Sequence, residues 1–189
     1  MRALGVALAC LLLATGCTSL SGSGNKGYVT LDGSLTLVDR PDRSEPVTLV
    51  GEDLDGAPLD LADFRGRPTV VAVWGSWCGP CNAEADELAE AARELEGTAN
   101  FVGIDVRDPS TSQAKAFVRK YDVPYPSFYS PDGKALLEFT GTLAPNSVPS
   151  TVVLDAEGRV AASVLGPIPS VRTLVGVARD LAEAEPADG

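Results

Sequence analysis

Hydrophobic and polar positions alternate along the chain with periods that predict strands and helices from Tyr28 onward. The run Thr69–Trp74 (TVVAVW) is apolar without polar alternation, which is typical of a strand buried on both faces. Phe101–Val106 (FVGIDV) has the same character. Between them, Asn82–Glu96 places leucine and alanine at spacings of three and four, which predicts an amphipathic helix closed by Gly97. We therefore expect a strand–helix–strand unit with Thr69–Trp74 at the centre of a sheet.

The second half of the chain continues this series. Apolar spacing predicts a helix over Thr111–Tyr121, which the proline-rich residues 123–126 stop. The strand-like runs Thr151–Leu154 and Val160–Val164 flank the turn sequence DAEG and should pair as a hairpin. A last helix is predicted over about residues 170–183, with its first residue, a serine, as the N-cap.

Two hairpins are predicted ahead of the central strand. Tyr28–Val38 alternates around an Asp-Gly pair, and residues 47–50 and 59–61 are separated by a turn at Asp55-Gly56. The early strands need crossover connections and the late pair does not, so the sheet should be mixed with helices on both faces. The predicted fold class is α/β, with a mixed central sheet flanked by helices and an extra N-terminal hairpin.

The N-terminus has the pattern of an export signal. Arg2 precedes an uncharged run of 12 residues, Ala3–Ala14, which spans only about 18 Å as a helix and is too short for a bilayer core of about 30 Å. The small residues before Cys17 resemble the lipobox of bacterial lipoproteins. We predict a lipoprotein signal peptide over 1–16 and a lipid-anchored flexible tether over 17–27, with lipid on Cys17. The alternative is an ordinary secreted protein in which Cys17 is free.

Composition and charge narrow the possible chemistry. The chain has 189 residues, of which 44% are hydrophobic and 22% are charged, which is consistent with one folded domain. It contains no histidine, which excludes Ser-His-Asp catalysis, haem held by histidine and histidine-containing zinc sites. The formal net charge of -11 gives no electrostatic support for binding nucleic acid.

The cysteines carry the candidate chemistry. Cys10 would leave with the signal peptide, so the mature chain keeps Cys17 and the pair Cys78 and Cys81. This pair follows the predicted buried strand, and its second cysteine opens the predicted helix. The unpaired N–H groups of the first helical turn favour a thiolate there, so we expect Cys78 to attack and Cys81 to resolve the mixed disulfide.

The two residues between the cysteines suit this placement. Pro80 fits the first helical turn, where no N–H donor is required, and Gly79 lets a partner backbone come close. A zinc ribbon would need a second Cys or His pair, which the mature chain lacks. A purely structural bridge that closes so short a loop would add little stability. Redox chemistry is therefore favoured.

From about residue 45 to residue 181 the chain resembles the thioredoxin superfamily, and within it the membrane-tethered bacterial disulfide reductases of the TlpA, ResA and CcmG type. Four features carry the resemblance, which are the Asp55-Gly56 hairpin leading into LADFRGRP (61–68), the segment VWGSWCGPC (73–81), Glu84, and VPSTVVLD (148–155). The resemblance implies a thioredoxin-like domain over 45–185, with an N-terminal extension over 28–44 and a tail over 186–189.

The resemblance also implies roles for residues around the cysteines. Pro149 would be cis and would face the CxxC pair across a substrate groove, where the backbone of Val148 would pair with an extended substrate segment. We expect Trp77 to shield the disulfide. The aspartate of the thioredoxin central strand is replaced by Ala72, and Glu84 matches a glutamate of the membrane-tethered subgroup, so we expect it to move the proton of Cys81. The alternative for Glu84 is a solvated helix residue.

The predicted function is that of a lipid-anchored extracytoplasmic thiol-disulfide oxidoreductase that reduces disulfides of exported proteins. The exchange chemistry needs no cofactor and no metal. The resemblance suggests a membrane thiol transporter as electron donor and apocytochrome c or a copper-site protein as acceptor, and we expect a monomer held on a bacterial membrane. The alternatives are a disulfide oxidase for secreted proteins and a thioredoxin-like binding module for Cu(I) or client proteins. A peroxiredoxin is disfavoured, because no separate peroxidatic cysteine exists.

Overall fold

The computed structural model describes residues 34–184, which form one mixed six-stranded sheet, one small hairpin and three α-helices. In chain order the elements are β1 (Leu35–Leu37), β2 (Val50–Glu52), β3 (Pro58–Asp60), β4 (Thr69–Trp74), α1 (Gly79–Glu94), β5 (Asn100–Val106), α2 (Thr111–Lys120), β6 (Ser127–Ser130), β7 (Ser150–Leu154), β8 (Val160–Leu165) and α3 (Val171–Ala184). The main sheet has the spatial order β1-β8-β7-β4-β5-β6, and β2 pairs with β3. The predicted α/β fold is confirmed.

Strand β4 lies inside the sheet, between β5 and β7, and all six of its residues are buried. It runs parallel to β5 and antiparallel to β7, so its carboxyl end lies beside the start of β7. Ala72 packs in a core cluster with residues of α1 and α3, such as Leu88 and Leu174. Val71 and Val73 point to the opposite face, where they pack with a 3-10 helix over Lys134–Phe139. One face of the sheet is therefore covered by α-helices. The other face is covered by the 3-10 helix and the β2–β3 region.

The element boundaries agree with the sequence except at a few places. Helix α1 begins three residues before the predicted start at Asn82, because Cys78 is the N-cap. Strand β2 begins at Val50, where the sequence predicts the end of a strand. Strand β6 and the Lys134–Phe139 helix were not predicted. Ser170 is confirmed as a cap of α3, since its Oγ accepts a hydrogen bond from the N–H of Thr173 at 3.1 Å.

The N-terminal segment joins the main sheet. Residues 28–33 of the predicted first hairpin lie outside the described residues, and the described part forms β1, which pairs antiparallel with β8. The N–H of Leu165 donates to the carbonyl of Ser34 at 3.1 Å, so the segment enters the sheet at the end where β8 finishes. The predicted signal peptide, the tether with Cys17 and the C-terminal tail lie outside the described residues as well. No helix within residues 34–184 is long and apolar enough to cross a membrane.

Candidate active site

The cysteine pair lies at the N-terminus of α1 and forms a disulfide bond between Cys78 and Cys81. Cys78 has an extended backbone and caps the helix, and its Sγ accepts a hydrogen bond from the N–H of Cys81 at 3.2 Å. The positive end of the helix dipole favours negative charge at this sulfur once the bond is reduced. Both cysteines are buried, Cys81 more deeply at 1% exposure than Cys78 at 4%. This geometry fits Cys78 as the outer cysteine and Cys81 as the inner one.

Trp77 lies directly before the pair and is 51% exposed. Its indole Nε1 donates to the carbonyl oxygen of Val106 at 3.0 Å, which fixes the ring across the end of β5. A Cβ atom at Gly75 would lie only 2.5 Å from this Nε1, so the close approach of ring and backbone requires glycine there. Trp77 thus offers an apolar surface next to the disulfide. Trp74, by contrast, is a core residue that stacks on Phe117.

The segment before Cys78 is held by two side chains that the sequence analysis missed. The buried Asp108 accepts hydrogen bonds from the N–H of Ser76 at 3.0 Å and from its Oγ at 2.6 Å. The Nδ2 group of Asn82 donates to the carbonyls of Ser76 and Cys78 at 3.0 and 2.9 Å. A polar residue just beyond the carboxyl end of a parallel strand, as Asp108 is after β5, was the available signal.

Pro149 directly precedes β7, and the peptide bond between Val148 and Pro149 is cis. Val148 packs against the apolar cluster that contains both cysteines, so the structure brings the two predicted groups together. The N–H of Val148 donates to the carbonyl of Asn146 at 2.9 Å, while within residues 34–184 its own carbonyl accepts no hydrogen bond. The carbonyl of Pro149 accepts from the N–H of Gly166 at 3.0 Å.

Glu84 is buried, with 5% exposure, one turn along α1 from Cys81. Its Oε2 accepts a hydrogen bond from the N–H of Ile168 at 2.8 Å, which ties α1 to the loop between β8 and α3. Burial raises the pKa of Glu84 to about 7, against the opposing effect of the Ile168 bond. Glu84 is therefore not a solvated helix residue, and it can change its protonation state near neutral pH.

A second buried acid, Asp105, lies in β5 and was not singled out from the sequence. It is fully buried, and neither of its oxygens accepts a hydrogen bond from a donor within residues 34–184. Burial, together with the neighbouring carboxylate of Asp108, raises the pKa of Asp105 to about 9. Asp105 is consequently protonated at neutral pH.

Known proteins that are similar to this chain include thiol-disulfide oxidoreductases, which is consistent with the cysteine pair at this site. The AhpC/TSA family model matches residues 41–163. Thiol-disulfide oxidoreductase ResA of Bacillus cereus is 27% identical over 123 residues, which is 65% of this chain and 68% of ResA. A DsbF homologue from Corynebacterium diphtheriae has a TM-score of 0.73 and 33% identity, and the match covers 82% of this chain and 98% of that one.

A secreted thiol-disulfide isomerase from Corynebacterium glutamicum has a TM-score of 0.74 and 31% identity, with 82% of this chain and 96% of that chain covered. This relative is named as a secreted protein. The family match, these relatives and the cysteine pair at the start of α1 lead to one assignment. The chain belongs to the AhpC/TSA family and is a thioredoxin-like, extracytoplasmic thiol-disulfide oxidoreductase with Cys78 and Cys81 as its redox pair.

Proposed function

We propose that the protein is a lipid-anchored reductase of disulfides in exported proteins. The observation that carries this proposal is the position of Cys78, whose sulfur caps α1 while Cys81 lies behind it. The Cys78 thiolate attacks one sulfur of the substrate disulfide, and the other leaves as a thiolate that takes up a proton. Cys81 then attacks Cys78, releases the second substrate thiol and forms the Cys78–Cys81 disulfide. Two electrons pass to the substrate, and a membrane thiol transporter supplies two others that reduce the Cys78–Cys81 disulfide again.

The groove between the cysteines and Pro149 is where we place the substrate segment. The carbonyl of Val148 would accept a backbone N–H of an extended substrate, as a short added strand. Gly79 has no atom within 4 Å of the place where a Cβ would lie, which leaves room for a second backbone. The exposed ring of Trp77 would cover the apolar side chains of the substrate. Recognition of backbone rather than sequence suits several exported clients, such as apocytochrome c and copper-site proteins.

Glu84 is the acid–base group of this proposal. It lies one helical turn from Cys81, on the same side of α1, and its pKa of about 7 allows it to take up or release a proton near neutral pH. The ionised form accepts the proton of Cys81 before that sulfur attacks the mixed disulfide. The protonated form returns the proton when the pair is reduced again.

The reduction potential of the Cys78–Cys81 couple tests the direction of the reaction. We would measure it on the secreted chain carrying Cys17→Ser, equilibrated in thiol buffers of known potential. A value at or below about -230 mV supports a reductase fed by a membrane donor. A value near about -120 mV would assign the protein to disulfide formation instead. Absence of a measurable couple, together with tight binding of Cu(I), would assign it to the binding modules.

A further inference from the structure

Arg107, the first residue after β5, has a backbone conformation that is unusual for its type. Its φ is 61°, in the left-handed region that glycine favours and a residue with a side chain rarely occupies. The guanidinium group makes two contacts from this position, donating to the carbonyl of Pro145 at 2.6 Å and to Oδ1 of Asn146 at 2.7 Å. The unusual backbone therefore directs one charged nitrogen of Arg107, Nη2, at two acceptors of one distant loop.

That loop is the one that leads to Val148 and Pro149. The side-chain Oδ1 of Asn146 accepts a hydrogen bond from Arg107. The backbone carbonyl of Asn146 accepts one from the N–H of Val148 at 2.9 Å. The turn is also closed on itself, since the N–H of Ala144 donates to Oγ of Ser147 at 3.0 Å. Arg107 joins this closed turn to the end of β5, so the guanidinium is one of the contacts that hold the loop before Val148 against the sheet.

Asp108, the residue after Arg107, holds the chain segment on the opposite side of the groove. Asp108 accepts two hydrogen bonds from Ser76, in the segment that leads to Cys78. Two adjacent residues at the end of one strand thus bind the two loops that flank the redox pair. A change in the backbone here would alter the distance between those loops.

We propose that Arg107 is a positioning residue that sets the Val148–Pro149 loop at the correct distance from the cysteines for an extended protein substrate. This inference rests on the proposed reduction of protein disulfides. A small disulfide reaches the sulfur of Cys78 without pairing with Val148, so it does not depend on the position of that loop. Arg107 should therefore matter for protein disulfides and have little effect on small ones.

The test compares two substrates in three variants, with dithiothreitol as the electron source. Arg107→Gly keeps a residue that accepts the positive φ and removes the guanidinium, and Arg107→Lys keeps the charge on a shorter side chain. Arg119→Ala removes an exposed arginine of α2 as a matched control. For insulin, we expect Arg107→Gly to raise KM about tenfold, the equivalent of about 1.4 kcal/mol, with kcat little changed. For oxidised glutathione, kcat/KM should change less than twofold. Arg107→Lys should recover part of the insulin KM, and Arg119→Ala should match wild type.

An equal change for both substrates, or none for insulin, would overturn the positioning role. If Arg107→Gly does not fold, Asn146→Ala removes one acceptor from the other side and should raise the insulin KM selectively but less. Wild-type insulin kinetics in both Asn146→Ala and Arg107→Lys would then reject the role. A wild-type enzyme that reacts with oxidised glutathione and never reduces insulin would reject the proposed function itself, a distinct result.

Discussion

Glu84 and Asp105 are two buried acids with different surroundings, and the difference decides what each can do. Glu84 keeps one strong partner, the N–H of Ile168, and its pKa lies at about 7. Asp105 faces another carboxylate, and its pKa lies at about 9. Glu84 changes charge near neutral pH, which suits proton transfer, whereas Asp105 stays uncharged there. Ala72, at the position of the thioredoxin aspartate, is buried and cannot titrate.

Substitution Glu84→Gln tests the acid–base role while keeping an oxygen for the N–H of Ile168. With wild-type enzyme, the single-turnover reduction of a protein disulfide should accelerate as the pH rises through about 7, because the ionised carboxylate accepts the proton of Cys81. The variant should lack this increase and should be slower by about tenfold or more at pH 8. The matched control is Glu90→Gln, an exposed glutamate further along α1. Superimposable pH profiles for Glu84→Gln and wild type would rule out the role.

Substitution Asp105→Asn tests the effect of the neutral buried acid on stability. The folded state keeps Asp105 protonated up to a pH of about 9, whereas the unfolded chain, in which its pKa has the ordinary value of 3.8, ionises it above about pH 4. Folding therefore takes up a proton between these values, so this group makes the free energy of unfolding fall as the pH rises. Asparagine stays neutral, so the stability of the variant relative to wild type should increase from pH 5 to pH 8 in urea titrations.

The control for this measurement is Asp86→Asn, an exposed aspartate of α1. Its stability relative to wild type should not follow the same rise between pH 5 and pH 8. A relative stability of Asp105→Asn that stays constant or falls over this range would show that Asp105 is ionised in the folded protein.

At the scale of elements, residues 35–43, which precede β2, are bound to the β7–β8 hairpin. Strand β1 pairs with β8, and Arg43 forms an ion pair with Asp155 at 3.0 Å in which both side chains are almost fully buried. Asp155 also binds Arg159 at 2.8 Å. A neighbouring pair, Arg40 with Glu157 at 2.9 Å, is about half exposed. The two arginines therefore allow a direct comparison of a buried and an exposed ion pair in one segment.

Substitution Arg43→Ala should lower the free energy of unfolding by about 2 kcal/mol, because it leaves a buried carboxylate with one fewer partner. The remaining bond to Arg159 keeps the loss below that of an isolated buried charge. Arg40→Ala should cost less than about 1 kcal/mol, as exposed pairs do. Urea unfolding of both variants measures the difference. Equal losses would show that the Arg43 pair contributes no more than a surface contact.

Local pattern was sufficient for some elements and not for others. The sequence predicts strand β4 with its observed bounds, because a short apolar and largely β-branched run between Pro68 and Gly75 is typical of a buried strand. Strand β6 is four residues long and is preceded by a proline, so it carries no period. The cysteine pair was likewise visible in the sequence. The contacts of Arg107 and Asp108 were not, since their partners lie 38 and 32 residues away and depend on the assembled sheet.

At the scale of the whole molecule, the proposed anchor makes one prediction about location. With lipid on Cys17, the protein should sediment with membranes, and Cys17→Ser should move it to the soluble extracytoplasmic fraction with its reduction potential unchanged. Incorporation of a labelled fatty acid into wild type, and not into the variant, supplies the direct measurement. Wild-type protein found in the soluble fraction without label would show that the chain is secreted and that Cys17 is free.

The entry of β1 into the sheet has a consequence for how far the enzyme can work from its membrane. Ser34 is hydrogen-bonded to Leu165, and the residue after Leu165, Gly166, is hydrogen-bonded to Pro149. The chain therefore joins the domain at the end of the sheet that carries the cysteines. The 16 residues from 18 to 33 can reach at most about 55 Å when fully extended. A lipid on Cys17 would thus confine the cysteines to a thin layer above the bilayer. Proteins still attached to the membrane or just leaving it would be reduced there, whereas proteins that have already diffused away would escape.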